Sequence, residues 1–269
     1  MRNYPSEQEA KELICAIGKK MYDHQFVSAN DGNITIRVGE NKIIATPTGV
    51  SKGDLRPGML LKTDLNGNIL EGTWKPTSEL PMHLRIYKEN DEVMSTAHAH
   101  PCFLNVFANM GLELDLSITP ATAAISGRIP VAPYRNPGSS ELADSVAPYV
   151  KDYNVVLLAN HGPIAWGKTP IEAWFTLEDA EAYAKMALIH KFIVGGYRPI
   201  TRGQIECLAQ THDLVINPKR LVNAPEESSN GNPAESLDAY DGMSIRLSDD
   251  TIDKLVDKIT EKLCRDSMR

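Results

Sequence analysis

The apolar residues of this chain change their spacing several times, and each change marks an element. Ser6 followed by Glu9 forms a capping box, after which Ala10, Leu13, Ile14, Ile17 and Met21 recur at helical spacing. An amphipathic helix is therefore expected to open the chain. Over residues 33–38 the period drops to two, with Ile34, Ile36 and Val38 alternating with Thr35 and Arg37. Residues 42–45 read as a second short strand before the turn Thr46-Pro47-Thr48-Gly49. Residues 60–65 and 68–70 flank Asn66-Gly67, which predicts a tight hairpin.

Further along, Thr77 or Ser78 can cap a helix through His83, Leu84 and Tyr87, with Pro81 near its start, where a missing N–H is tolerated. Residues 93–100 are strand-like, 102–110 and 139–150 read as helices, and 154–159 as a buried strand. Thr169-Pro170-Ile171-Glu172 is another capping box, starting a long helix that ends at Gly195-Gly196. Helices and strands are mixed throughout, without a strict βαβ rhythm or an internal repeat, so an α/β or α+β layered domain is expected.

The pattern breaks near Asn223. Residues 223–242 carry five acidic side chains, no basic ones and only two bulky apolar ones, too few to offset the chain entropy lost on folding. The expected division is a domain over 1–222, an acidic flexible linker over 223–247 and an amphipathic tail helix over 248–269. In that tail Ser248 is the cap, and Ile252, Leu255, Val256, Ile259 and Leu263 fall within an arc of about 100°. A helix of roughly 15 residues is marginal alone in water, so this one needs a surface to bind.

Composition narrows the function classes. Of 269 residues 42% are hydrophobic, enough for a real core, which excludes a wholly disordered chain. Thirty-five acidic against 28 basic residues give a net charge of −7, with no basic run to follow a phosphate backbone, so no nucleic acid is expected as a partner. The first residues lack the apolar core and cleavage site of a signal peptide, and no stretch approaches 18 apolar residues; no membrane is expected, and the location is cytoplasmic. Cys15, Cys102, Cys207 and Cys264 are far apart with no Cys-x-x-Cys, and read as ordinary thiols.

Three of the seven histidines sit where a metal site would need them. His98 and His100 share one face of the expected strand, and Pro101 ends it, placing the pair at a sheet rim. His161 follows the apolar run 155–159 and precedes Gly162-Pro163, again a strand end. Three neutral imidazoles leave a zinc ion its full charge and an open position, the arrangement of Lewis-acid catalysis rather than of structural staples. Read without a metal, the same pair is an ordinary rim or core pair. Glu79, in Pro76-Thr77-Ser78-Glu79, is by position a helix-start acid favoured by the dipole, or alternatively a carboxylate for proton transfer. Gly32-Asn33, Thr48-Gly49 and Thr77-Ser78 are small-residue turns; each alone is a turn, and together their N–H groups and hydroxyls suit an anion such as phosphate. His24, His190 and His212 have no partner in the pattern.

Taken in order, Gly32-Asn33, Thr46-Pro47-Thr48-Gly49, Pro76-Thr77-Ser78-Glu79, His98-Ala99-His100 and Asn160-His161-Gly162 resemble the motifs of the class II, metal-dependent sugar-phosphate aldolase and epimerase family, over roughly residues 8–215. Within it the resemblance is closest to the fuculose-phosphate aldolases. It implies an α/β fold: a single three-layer domain with a central, mainly antiparallel sheet between helices, assembled as a homotetramer with active sites between subunits. It implies that His98, His100 and His161 hold Zn2+, with Mn2+ or Co2+ as other candidates, and that Glu79 is a ligand displaced by substrate that then acts as general acid/base. Gly32, Asn33, Thr48, Gly49, Thr77 and Ser78 would cradle the phosphate.

The implied reaction is reversible cleavage of a ketose 1-phosphate, such as fuculose 1-phosphate, to dihydroxyacetone phosphate and an aldehyde such as lactaldehyde. The metal would stabilise the ene-diolate. The epimerases of the family carry aspartate where this chain has Glu79, which favours the aldolase; a decarboxylase of 3-oxo-tetronate phosphates shares the chemistry. Adducin-like scaffolds of the family lose metal ligands, and this chain keeps them. Where the aldolase has a tyrosine in the segment matching 116–124, this chain has Thr119 and none, leaving the donor to the aldehyde oxygen open. The linker and tail helix resemble an encapsulation peptide that carries enzymes into bacterial microcompartments by binding shell proteins; docking on this protein or its tetramer neighbour is the other reading.

Overall fold

The computed structural model describes residues 4–226. Six α-helices lie along them: α1 (Glu7–Asp23), α2 (Leu80–Glu89), α3 (Cys102–Met110), α4 (Ser140–Val146), α5 (Pro170–Leu188) and α6 (Arg202–Thr211). The strands are β1 (Asn33–Gly39), β2 (Lys42–Ala45), β3 (Leu61–Thr63), β4 (Ile69–Glu71), β5 (Ser95–His98), β6 (Val131–Ala132), β7 (Val155–Leu158) and β8 (Gly162–Gly167). They form one sheet in the order β4-β3-β2-β1-β5-β8-β7-β6, antiparallel except where β6 meets β7. The fold is therefore α/β, with a mainly antiparallel sheet between helices, as expected.

The two faces of the sheet sort by residue parity. Val155 and Leu157 join Ile14, Phe107 and Leu177 of α1, α3 and α5 in one apolar cluster. Val156 and Leu158 join Leu84, Tyr87 and Leu142 of α2 and α4 in another. Burial on both faces explains the unbroken apolar run of β7. β1 and β5 are built differently. Ile34, Ile36 and Ala97 belong to the α1, α3 and α5 cluster, so Asn33, Thr35, Thr96 and His98 turn to the opposite face, where all four are buried.

Local chemistry explains most element ends. The Ser6 and Thr169 hydroxyls accept the N–H groups of Glu9 and Glu172, starting α1 and α5. The long helix continues past Leu188 as a π-helical turn, Ile189–Val194, and stops at left-handed Gly195. Four expectations need correction. The hairpin exists, but its loop is wider than a two-residue turn: Asp64 accepts the N–H groups of Asn66 and Asn68 on its carboxylate and that of Gly67 on its carbonyl. α2 begins at Leu80 with Glu79 as its N-cap, because Thr77 spends its hydroxyl on the Glu79 N–H instead of capping. β5 is shorter than 93–100, since pairing with β1 and β8 ends at His98. The 139–150 helix changes to a 3-10 turn, Ala147–Tyr149, at Pro148.

Short strands β6 and β8 and helix α6 were not legible in the apolar pattern. α6 and the segment after it form a third small core in which Ile205, Val222 and Ala224 are buried beside Ala123. The Asn223 N–H donates to Asp115, and the Arg202 N–H to the Pro225 carbonyl. Residues 223–226, assigned to the linker by composition, thus make contacts with the folded chain; the rest of that linker and the tail helix over 248–269 lie outside the described residues. Among the described residues no helix is long and apolar enough to cross a membrane.

Truncation after Arg220 removes the Val222 side chain and the Asn223 to Asp115 bond, a loss of about 2–3 kcal/mol. Relative to a chain cut after Glu226, its thermal midpoint should fall by roughly 4–12 °C. Equal midpoints in calorimetry would show that the segment contributes nothing to the core.

Candidate metal centre

Three consecutive neighbours in the sheet, β5, β8 and β7, carry the site at one end. His98 is the last residue of β5, opposite Asn33 on β1 and Ile164 on β8. Its Nδ1 lies 2.8 Å from the Pro163 carbonyl, which can only accept. Nδ1 therefore carries the proton, and Nε2 keeps a lone pair. His100 lies just past the strand end, its N–H held by the Phe26 carbonyl and its Nδ1 3.4 Å from the Asp31 carboxylate. That carboxylate favours the same tautomer and the same exposed nitrogen.

His161 sits in the tight turn between β7 and β8. The turn needs a left-handed residue, supplied by Asn160 at φ 56°. It also needs a glycine: a Cβ on Gly162 would lie 2.6 Å from the Ala99 carbonyl oxygen and 2.9 Å from a His100 ring carbon. Closing this gap brings the turn against the β5 end. As a result the ligand nitrogens of His98, His100 and His161 all lie within 4.8 Å of one another.

Glu79 completes the group from α2. One carboxylate oxygen, Oε1, is 3.1 Å from His161 Nε2, and the other, Oε2, is 3.3 Å from His98 Nε2. Oε2 accepts a 2.9 Å hydrogen bond from Asn33 Nδ2, whereas Oε1 is buried and accepts none. His98 Nε2 and His100 Nε2 are themselves 3.1 Å apart. A buried carboxylate oxygen with no donor, among imidazole nitrogens carrying lone pairs, is a set of electron donors in need of a cation. The residues fit a divalent metal held by three histidines, with Glu79 within reach.

Electrostatics agree with that chemistry. Burial pushes the His98 imidazole down to about 3, against the opposing pull of Glu79, and lowers His100 as well, with His161 adding to the effect. Both are neutral, as metal ligation requires. Burial works to raise Glu79, but the His98 ring, charged only in the acid range where a carboxyl titrates, the His161 contact and the Asn33 amide outweigh it, so the carboxyl sits below the ordinary range and is ionised.

The expected phosphate residues fall into two groups. Thr48, Gly49 and Ser78 are exposed at the rim, on two loops tied together by the Thr48 N–H to Lys75 carbonyl bond and the Thr77 N–H to Thr46 carbonyl bond. Gly49 takes φ 77° with open space beside its Cα. Gly32 precedes Asn33 at φ 76°, half-buried beside His98. Thr77 and Asn33 are buried; the Thr77 hydroxyl accepts from Glu79 N–H, and the Asn33 amide is committed to Glu79 and His83. Thr119 bonds within its own turn, to Thr122.

Three contributors escaped the sequence reading. Asp31 backs His100, and its place just before Gly32 gave no periodic signal. His83 contacts Asn33; it lies four residues after Glu79, on the same helix face, and its spacing alone marks it only as a helix residue. Lys52 is a buried cation whose Nζ donates to the Asn30 and Val50 carbonyls, tying the loops before Gly32 and after Gly49; burial lowers it to about 8, against the pull of Asp31.

Comparison with known proteins gives one family. The family described as Class II Aldolase and Adducin N-terminal domain matches residues 12–188. An L-fuculose phosphate aldolase of Methanococcus maripaludis is 38% identical over 176 residues, 65% of this chain and 93% of that protein. A 3-oxo-tetronate 4-phosphate decarboxylase of Pectobacterium atrosepticum is 32% identical over 188 residues, 68% of this chain and 86% of that protein. The solved structure of an L-fuculose 1-phosphate aldolase superposes with a TM-score of 0.70 at 27% identity, covering 78% of this chain and 99% of its own.

Two outcomes test this centre. Gly162→Ala must push the β7–β8 turn off His100, so its zinc affinity by titration calorimetry should fall about 10–100-fold while the far-ultraviolet spectrum stays native; unchanged affinity would show that the turn does not set the ligand spacing. In chelator-treated protein, His83 is held down to about 4 by burial, against an ordinary 6.5. Between those values the unfolded chain binds more protons, so stability falls as pH drops, by about 3 kcal/mol at pH 4 from this residue alone. Urea midpoints that stay level from pH 7 to 4 would contradict a buried neutral imidazole.

Proposed function

The chain belongs to the class II aldolase and adducin family and is an enzyme of it, and from that premise we infer that it is a metal-dependent aldolase joining and cleaving dihydroxyacetone phosphate and a short aldehyde through a ketose 1-phosphate. The observation that carries this reading is the free oxygen of Glu79, ionised, buried and aimed into the histidine cluster. His98, His100 and His161 would hold the metal, which when bound supplies Lewis acidity toward the substrate's carbonyl oxygen.

This chain's own residues would do the rest. At the mouth the exposed Thr48 would offer its hydroxyl, Gly49 its N–H, and Ser78 both, for the phosphate. In the direction of synthesis Glu79 takes a proton from the hydroxymethyl carbon beside the ketone of dihydroxyacetone phosphate. The electron pair left behind forms the new bond to the aldehyde carbon, and the aldehyde oxygen takes up a proton. In cleavage the same pair returns to the phosphate-bearing fragment, and Glu79 gives its proton back. Burial of Glu79, 7% exposed, keeps water from competing for that pair.

A second reading has its own support in the 32% identity to the decarboxylase. Loss of CO2 from a 3-oxo-tetronate phosphate leaves an electron pair on a carbon of the same kind, which the same carboxyl would protonate. Epimerisation is disfavoured by glutamate at position 79, and a scaffold role by the intact metal ligands.

The test is release of dihydroxyacetone phosphate from fuculose 1-phosphate, run beside CO2 release from 3-oxo-tetronate 4-phosphate, with metal-loaded wild type and Glu79→Gln. Dihydroxyacetone phosphate release that drops about 10²–10⁴-fold in the variant supports the aldolase. CO2 release alone replaces it with the decarboxylase.

A further inference from the structure

A single file of hydrogen bonds runs under α2 and ends on Glu79. Glu79, His83 and Tyr87 are four residues apart, so they share one helix face. That face covers Asn33 and Thr35 of β1 and Thr96 of β5, with Thr35 and Thr96 directly paired across the strands. Asn33, Thr35, His83, Thr96 and Tyr87 are each 4% exposed or less, so they must satisfy one another.

The direction of every bond follows from its end. An ionised carboxylate only accepts, so Asn33 turns its NH2 to Glu79 Oε2, at 2.9 Å, and its Oδ1 to His83. That oxygen also only accepts, so His83 Nε2 carries the proton. The ring, neutral because it is fully buried, then accepts at Nδ1 from the Thr96 hydroxyl. With its own proton used, Thr96 Oγ1 accepts from Thr35 Oγ1 at 2.6 Å. Tyr87 closes the file by donating to the oxygens of Thr35, 2.8 Å from the hydroxyl and 3.1 Å from the carbonyl.

We propose that His83 is a positioning residue that, through Asn33, fixes which oxygen of Glu79 moves the proton. Asn33 offers Oε2 a donor and cannot accept from it, so the lone pair of Oε2 that faces the amide is closed to a proton, whereas Oε1 has no such bond. The proton is carried on Oε1, the oxygen that faces His161 and has no donor. Without the His83 N–H only the carboxylate's charge orients Asn33, and once Glu79 takes up its proton the amide is free to flip and accept it. The His83 ring bonds to none of the three histidines, and the residue's only bond to Glu79 is from its backbone N–H to the carbonyl; the ring acts by keeping Asn33 the right way round.

The inference rests on Glu79 being the base of the proposed reaction, and two measurements on the full chain separate them. Nitrogen-15 spectra of histidine-labelled, chelator-treated protein should show His83 as the neutral Nε2–H tautomer, with Asn33 side-chain amide protons that exchange slowly in wild type and quickly in His83→Phe. An Nδ1–H tautomer or an imidazolium overturns the file. With metal restored, His83→Phe should lower kcat about 10–100-fold on whichever of the two substrates is turned over. KM should stay within about twofold of wild type and bound metal per chain should be unchanged. His83→Gln, whose amide N–H can still reach toward Asn33, should recover much of that loss. A His83→Phe enzyme with unchanged kcat overturns the proposal. So does one in which kcat and metal content fall and KM rises together without rescue by glutamine, the mark of a merely structural role. If wild type turns over neither substrate while the tautomer and amide exchange are as expected, the functional reading fails and the positioning stands.

Discussion

A carboxylate buried beside three imidazoles sets the terms for the rest of this fold. Leaving one buried ionised group without partners costs several kcal/mol, comparable with the net stability of a domain. Glu79 is tolerable only because Asn33 reaches Oε2 and a cation can meet Oε1. Asn33 in turn needs a donor for its oxygen, and the need passes to His83, Thr96, Thr35 and Tyr87 in sequence. The demand ends at a tyrosine that can serve two oxygens of one threonine. The polar row between α2 and the β1–β5 pair is thus a consequence of one charge, and it replaces apolar packing in the middle of an otherwise apolar layer.

Strand order turns that local need into a site. β8 lies between β5 and β7, so the Pro163 carbonyl is beside His98 while the turn before it presents His161. The β5 end leads straight into α3, whose first N–H groups, those of Phe103 and Leu104, are held by Glu181 of α5. That anchoring fixes the short link carrying His100. Each ligand therefore stands on a rigid element or within two residues of one, which is what keeps metal geometry under control. Gly162 is the point at which the two elements approach too closely for any side chain.

Much of this was legible before any coordinates. Apolar spacing located α1, α3, α5, β1 and β2, and an unbroken apolar run located β7, because each buries apolar residues of its own. His98, His100, His161 and Glu79 stood out by spacing and by their place at element ends. Less visible were contributions made by contact rather than by period. β8 contains Gly162 and Pro163 and looks like a turn, yet it is held as a strand by neighbours on both sides. The alternation of β1 suggested a core face and a polar face; both are in fact core, and the polar one is the row leading to Glu79. His83 was hidden for that reason, since a histidine at helical spacing looks the same whether it packs or donates.

The two reactions weighed for this centre ask the same thing of it. Aldol cleavage and decarboxylation differ in what leaves, an aldehyde or CO2, and agree in what remains: an electron pair on a carbon beside a carbonyl, waiting for a proton. Everything rigid in this chain addresses the part that remains. On the proposed function, the histidines would serve the carbonyl, Glu79 Oε1, which faces His161, would serve the carbon, and the exposed rim loops at Thr48 and Ser78 would take the phosphate that both fragments keep. Thr119, in the segment where an aldehyde-facing donor is expected, is tied into its own turn with Thr122 instead of reaching the centre. On the same proposed function, selection between leaving groups would fall to the open side of the site, leaving the buried row unchanged. A chain can keep every hydrogen bond from Tyr87 to Glu79 and exchange one leaving group for the other, which is why similarity to an aldolase and to a decarboxylase can coexist in a single sequence.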